Sequence, residues 1–543
     1  MTCSAKQAAS QHLAMFLWVA IIALILTVFD SVCTAQVTVE VDARQVIHTM
    51  AGGIGASWHA MRREQTFDPN KTYRWDARRK CPQGSAVAGN PPLSYEQAWQ
   101  DIYQLATWMR MDWLRVEVSR RMFEPARARY DWDNDEMRTL YKILDWCQAN
   151  EADVFLTEMW RNVDWLAYPD VHPLISAPRD LEPYSEGLAE LVEHLVRRKH
   201  YTCIRWLCIA NEPPGGTWGY WWSRGTDSAP LTPALRAVRS ALDQRGLHIA
   251  LCAPDWTNLP VLDPDKIDFA DMVGAFDIHS YGPLDDRGQA ILADWARFAH
   301  RQSKPFFLTE LGDMSLGWGE AHPGPATFAA ALSNADKIVR GLNVGVDAFS
   351  RWSFINRGDL DGQFQLVRTW NRDRKAYTPR VTPEPVAYYG YAILTRFISK
   401  YSDVLRCTFA SEHPDTLQAV VLRSPTGQVT LAVVHLGSEP VTLRWNVRGF
   451  DKDVRLQHFQ VAEARLQSPD YRMRSDRITR LSPSHVSLRD TLPAHSVTVY
   501  TSVVHDTANE AIRRSEHVEQ ECLRKNGHAC RNVVFGIKWE ISD

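Results

Sequence analysis

The chain lacks an excess of charge of either sign: 61 Lys and Arg stand against 64 Asp and Glu, for a formal net charge of −3. That balance provides no field to hold a nucleic-acid backbone or an anionic membrane surface, so nucleic acid is not an expected partner. At 45% hydrophobic and 23% charged residues, the chain has neither the polar surplus of a disordered protein nor the apolar surplus of a polytopic membrane protein. Its ten cysteines follow no metal-binding or disulfide spacing. Cys3 and Cys33 precede the body of the chain, Cys203, Cys208 and Cys252 sit in apolar runs and read as buried thiols, and Cys522 and Cys530 are near enough in a polar tail to bridge. The glycine-rich stretch Met50-Ala51-Gly52-Gly53-Ile54-Gly55 has the wrong spacing for a dinucleotide loop, and no phosphate-binding lysine follows it. No H-x-H pair marks a metal-dependent hydrolase, for which His59 and His279 would be the candidates. No metal or organic cofactor is implied.

What the chain has in abundance is tryptophan, 21 residues of 543, a side chain that offers a flat apolar face with a polar edge. Near its start, Leu13 to Phe29 is an uncharged apolar run followed by the small residues Ser31-Val32-Cys33-Thr34-Ala35. This predicts a signal peptide, residues 1–35, cut after Ala35, and an exported body without a transmembrane segment. A lone basic residue, Lys6, precedes the run, which leaves an uncleaved signal-anchor as the alternative. Asn70-Lys71-Thr72 is one glycosylation acceptor motif.

From residue 51 to 399 short apolar strands alternate with helical stretches. Strands are predicted at Gly52 to Ser57, Trp113 to Val118, Asp153 to Thr157, Ile204 to Ala210, His248 to Ala253, Phe276 to His279, Pro305 to Thr309 and Asp347 to Trp352. Eight such units make an α/β chain with a (β/α)8 TIM barrel, whose usual length of about 250 residues leaves room for insertions. Ser94-Tyr95-Glu96-Gln97 reads as a capping box opening the helix through Met109, and the aperiodic stretch from Ala60 to Leu93 is expected to shape a cleft. Residues 400–504 are predicted as an appended antiparallel β-sandwich, residues 505–543 as a disordered tail, and residues 36–50 as a strand joining the sandwich.

Two of the barrel strands end in glutamate: Ile204 to Ala210 runs into Asn211-Glu212-Pro213, and Pro305 to Thr309 into Glu310-Leu311-Gly312. A carboxylate closing an apolar strand is costly unless it opens into a polar cleft, and the C-terminal ends of barrel strands form such a cleft. Two facing carboxyls can divide acid–base and nucleophilic work. Asn211-Glu212-Pro213 with Glu310 resembles the signature of clan A glycoside hydrolases, in which the acid/base and the nucleophile end strands four and seven. Arg115 matches that clan's strand-two arginine, His279 and Tyr281 its strand-six His-x-Tyr, and Trp352 its strand-eight tryptophan. The appended sandwich, with Leu492-Pro493-Ala494-His495-Ser496-Val497, is similar to family 30 and less closely to family 39. Family 5 carries a histidine after strand three where this chain has Thr157-Glu158-Met159-Trp160, which disfavours it.

The resemblance implies retaining hydrolysis of a β-glycosidic bond in an oligo- or polysaccharide by a monomeric enzyme. Glu310 would be the nucleophile and Glu212 the acid/base, with Asn211 holding the sugar 2-hydroxyl, Arg115 keeping Glu310 ionised and Tyr281 donating to it. Trp58, His59, Trp160, His279 and Trp352 complete the expected sugar-binding set, with Trp218, Trp221, Trp222, Trp256 and Trp318 also in or beside strand-end loops. Glu158 is a third acid, expected to pair with Arg161. The alternatives are a catalytically dead carbohydrate-binding protein on the same scaffold and a metal-dependent barrel hydrolase.

Overall fold

The computed structural model describes residues 36–60, 74–76, 81–83, 89–213, 220–224, 227–317, 323–355, 364–371, 374, 376–410, 415–466, 471–482 and 486–505. The expected signal peptide, the glycosylation motif, Trp218, Trp318, the Cys522–Cys530 pair, the tail beyond residue 505 and most of the Ala60 to Leu93 stretch lie outside the described residues.

Eight parallel strands close into a barrel: Ile54–His59, Trp113–Ser119, Asp153–Trp160, Ile204–Cys208, Ala250–Trp256, Ala275–Ser280, Phe306–Leu311 and Ala348–Ile355. They are called strands one to eight below. Gly55 lets the first two approach, because a Cβ there would collide with the Trp113 carbonyl. That close packing, not a ligand, accounts for the glycine in the opening stretch. The lumen is filled at its lower level by Trp113, Phe155 and Phe307 with the small side chains of Cys208, Cys252, Ala275 and Ala348. Side chains on a strand repeat every second residue, so one step higher the same faces present Arg115, Thr157 and Thr309. The lumen thus turns from apolar to polar toward the strand C-termini. The helix over Glu96–Met109 starts one residue later than the capping box implies. Tyr95 occupies the N-cap without a side-chain hydrogen bond, having no short side-chain oxygen to accept from the first turn, and its own N–H donates to the Pro92 carbonyl.

The second domain is a nine-stranded sheet in the order Arg477–Leu481, Val454–Ala462, Ser496–Thr501, Val429–His435, Leu417–Arg423, Asp403–Phe409, Gln36–Thr49, Val441–Arg448, Val486–Leu492. It is antiparallel apart from one pair, Gln36–Thr49 beside Val441–Arg448. The sheet folds over on itself, so that Arg477 in one edge strand donates to Asp490 in the other. Three of these strands carry too many charges to read as apolar runs: Asp403–Phe409, Arg477–Leu481 and Val486–Leu492.

Alternation decides how the two domains meet. In Leu417–Arg423 and Val429–His435, Leu417, Ala419, Val421, Leu431 and Val433 face the inside of the folded sheet. Val420, Leu422, Ala432 and Val434 instead join the core of the barrel domain, against the helices Phe328–Val344 and Pro385–Thr395. Every residue of Val429–His435 is buried as a result. Polar contacts lock the seam, including Asn343 Nδ2 to the Ala419 carbonyl at 2.9 Å and the Thr430 hydroxyl to the Phe397 carbonyl at 2.7 Å. Truncation after Ser399 is therefore expected to abolish soluble expression rather than weaken sugar affinity alone. A soluble, fully active truncated barrel would show the sheet to be a detachable module.

Candidate active site

Strand two sends Arg115 into the lumen, fully buried. Its Nη1 donates to Glu310 Oε1, its Nη2 to Asn211 Oδ1 at 2.7 Å and Asp255 Oδ2 at 3.0 Å, and its Nε to the Thr157 hydroxyl at 3.2 Å. Glu117 lies 3.5 Å from Nη1 as an ion-pair partner. The Tyr281 hydroxyl donates to the other oxygen of Glu310. Glu310 is thereby held in one rotamer, with a cation on one oxygen and a hydroxyl on the other.

Glu212 follows strand four with φ of +44°, a left-handed backbone that costs a non-glycine residue about 1–3 kcal/mol. Its N–H donates to Asp255 Oδ2 at 3.2 Å, which holds the turn and directs the side chain to strand six. There His279 Nδ1 lies 2.8 Å from Glu212 Oε1 and 3.5 Å from Glu310 Oε2, while Nε2 lies 3.1 Å from Asp255 Oδ1. Burial alone would depress the imidazole's pKa, but the Asp255 and Glu212 carboxylates raise it to about 9. The raised pKa favours the protonated ring, whose two nitrogens face Glu212 and Asp255. Burial would also raise Asp255, yet Arg115 and His279 hold it well below the usual carboxylate range. Its neighbour Asp277 is driven up by burial and by the Asp255 charge. One ligand atom from each of Glu212, His279 and Glu310 lies within 4.8 Å of the others.

Of the other residues singled out in the sequence, Asn211 joins this group through Arg115. His59 contacts Glu117 and meets the Trp352 ring edge-on, with centroids 4.7 Å apart. Trp160 closes strand three against Tyr220, centroids 6.1 Å apart. Trp58 is set apart, contrary to the expected sugar contact: its neighbours Ser57 and His59 take the lumen face, so its ring turns outward onto Trp146 and Phe354 and its Nε1 donates to Asn90. Glu158 is committed first to Arg120, at 2.7 Å, with Arg161 at 3.6 Å, and so is unavailable as a third acid. Asp255 and Glu117 are the residues that sequence reading missed. Asp255 follows the apolar run His248 to Ala253 just as Glu212 and Glu310 follow theirs, so the same signal was present. Glu117 lies inside strand two and carries no such mark.

A family model described as cellulase (glycosyl hydrolase family 5) matches residues 80–340. No curated protein matches the chain. Among solved structures, a glycoside hydrolase family 30 subfamily 8 xylanase from Clostridium acetobutylicum is 15% identical with a TM-score of 0.57, covering 86% of this chain and 99% of its own. The chain resembles the clan A glycoside hydrolases, most of all family 30. An endo-β1,6-glucanase is 12% identical with a TM-score of 0.56, over 87% of this chain and 94% of its own. A family 39 β-xylosidase from Caulobacter crescentus is 14% identical with a TM-score of 0.52, over 86% and 99%. The family 5 match ends inside the barrel, whereas the family 30 and 39 structures span nearly their whole length on this chain. At such identities the structures establish the fold, and the family model adds a match to a glycosyl hydrolase over residues 80–340. Among the described residues no helix is long and apolar enough to cross a membrane.

The imidazolium gives a pH test. The pKa of His279 is raised from 6.5 to about 9 in the folded protein, so the stability it contributes is present in full below about 6.5 and lost as pH rises through about 9. The melting temperature of the wild type should fall across that window. His279→Asn should lack this component, and an unchanged pH profile in the variant would show that His279 is not the group titrating.

Proposed function

We propose that the protein hydrolyses a β-glycosidic bond of an oligo- or polysaccharide with retention of configuration. The observation that carries this reading is the different environment of two glutamates whose oxygens approach within 4.8 Å: Glu310 sits under Arg115 and Tyr281, and Glu212 beside His279. An approach that close is compatible with the carboxyl separation of about 5–5.5 Å used by retaining enzymes.

In this reaction Glu310 attacks the anomeric carbon while Glu212 gives its proton to the departing oxygen. His279, bonded to Glu212, orients the carboxyl for this transfer. Glu212 then takes a proton from water as the water displaces Glu310 from the sugar. Asn211, oriented by Arg115, faces the sugar 2-hydroxyl, and His59, Trp160 and Trp352 line the remainder of the site. The two glutamates with His279 also make a three-ligand set that could hold a metal. A cation there would lie against the Arg115 guanidinium, already bonded to Glu310, and the repulsion disfavours it. Export follows from the apolar run before Ala35 and is part of the proposal.

Aryl β-glycosides and plant and microbial polysaccharides would identify the sugar. On a substrate so found, Glu310→Ala should abolish turnover, with azide rescue giving an inverted product. Glu212→Ala should lower kcat on unactivated substrates by about 10²–10⁴ while sparing glycosylation by dinitrophenyl glycosides, and azide should then yield a retained β-glycosyl azide. The opposite stereochemistry would reverse the roles, and wild-type turnover in both variants would remove the pair from the reaction. Exhaustive chelation should leave activity unchanged; loss restored by a divalent ion would favour the metal-dependent reading.

A further inference from the structure

Lys337 lies in the helix Phe328–Val344 and is fully buried. Its ammonium donates to the Ser280 carbonyl at 3.0 Å and to the Gly312 carbonyl at 2.7 Å. Among the described residues no carboxylate comes within ion-pair distance of it, and these two carbonyls are its hydrogen-bond acceptors. Burial pushes the ammonium's pKa down to about 7, with Asp313 and Asp336 drawing it up and Arg351 pressing it further down. An apolar side chain of similar length would fill the same space without that desolvation cost. What the lysine adds is a pair of charge-assisted bonds to two strand ends.

Those ends carry the nucleophile and its partner. Ser280 immediately precedes Tyr281, and Gly312 follows Glu310 by two residues. The Gly312 N–H donates to the Ser280 carbonyl at 3.1 Å, and the Met314 N–H to the Tyr281 carbonyl at 2.9 Å. The Tyr281 ring lies against Gly312, where a Cβ would come within 3.0 Å of it. The lysine, the glycine and the tyrosine thus form one mechanical path to the Glu310 carboxylate.

We propose that Lys337 is a positioning residue, whose ammonium clamps the ends of strands six and seven and so fixes the Tyr281 hydroxyl on Glu310. It never touches substrate. The inference rests on Glu310 as the nucleophile, and the two fail separately: turnover in Glu310→Ala removes that assignment, whereas the experiment below addresses the lysine in an active enzyme.

Lys337→Met and Lys337→Gln would be assayed in the full chain on an aryl β-glycoside turned over by the wild type, with melting temperatures measured alongside. A displacement of the pair by a fraction of an ångström should lower kcat about 10–100-fold and leave KM within about twofold. In a Tyr281→Phe background the same substitutions should cost less than half as much on a logarithmic scale, because the contact they disturb is already absent. If the methionine variant does not fold, the glutamine variant, which keeps an N–H donor, carries the test. A folded variant with wild-type kcat, or a loss undiminished in the Tyr281→Phe background, would overturn the proposal and leave Lys337 a structural cross-link.

Discussion

The catalytic end of the barrel depends on one buried guanidinium. Arg115 has five N–H donors in a rigid plane, and its partners are Thr157, Asn211, Asp255, Glu310 and Glu117. Those partners come from strands two, three, five and seven and from the turn after strand four, so one side chain sets the relative height and rotation of most of the barrel rim. A lysine would supply the charge without the planar fork and could not serve so many acceptors in fixed directions. Because the cation is desolvated, its removal would strand several buried carboxylates, and such losses cost about 3–5 kcal/mol.

His279 is the second cation, and Asp255 joins the two. By accepting from Arg115, His279 and the Glu212 N–H, Asp255 ties the glutamate on the left-handed turn to the one on strand seven. The two glutamates differ in kind because of this frame: one is bonded to a permanent cation and a phenol, the other to an imidazolium. Identical side chains acquire distinct chemistry from their neighbours, as acid–base pairs in hydrolases must.

Much of the fold was legible in the sequence because the barrel strands are buried on both sides and read as unbroken apolar runs. Glu212 and Glu310 stood out because each terminates such a run. Asp255 does so too, but with no familiar motif around it the same signal passed unremarked. Closeness to a strand-end loop does not put Trp58 in the site, because strand parity decides its direction: with Ser57 and His59 inward, the residue between them must point out. Lys337 carries no local mark at all, since a lysine within a helix is ordinarily a solvated face, and only the tertiary fold brings it beneath two strand ends. The charged strands of the second domain were invisible for the converse reason, having one face in solvent and too few apolar residues to form a run.

The strand Gln36–Thr49 comes before the barrel in the chain yet pairs with Asp403–Phe409 and Val441–Arg448 beyond it. During synthesis it must wait, unpaired, while the intervening barrel emerges. The helices Phe328–Val344 and Pro385–Thr395 wait as well, with the apolar faces that the sheet later covers still open to water. Closing so long a loop is entropically modest but slow, and the exposed surfaces are of the sort that chaperones bind. The barrel therefore acquires its finished exterior only when the last described strand, Ser496–Thr501, is free to pair, which makes barrel and sheet one unit of folding.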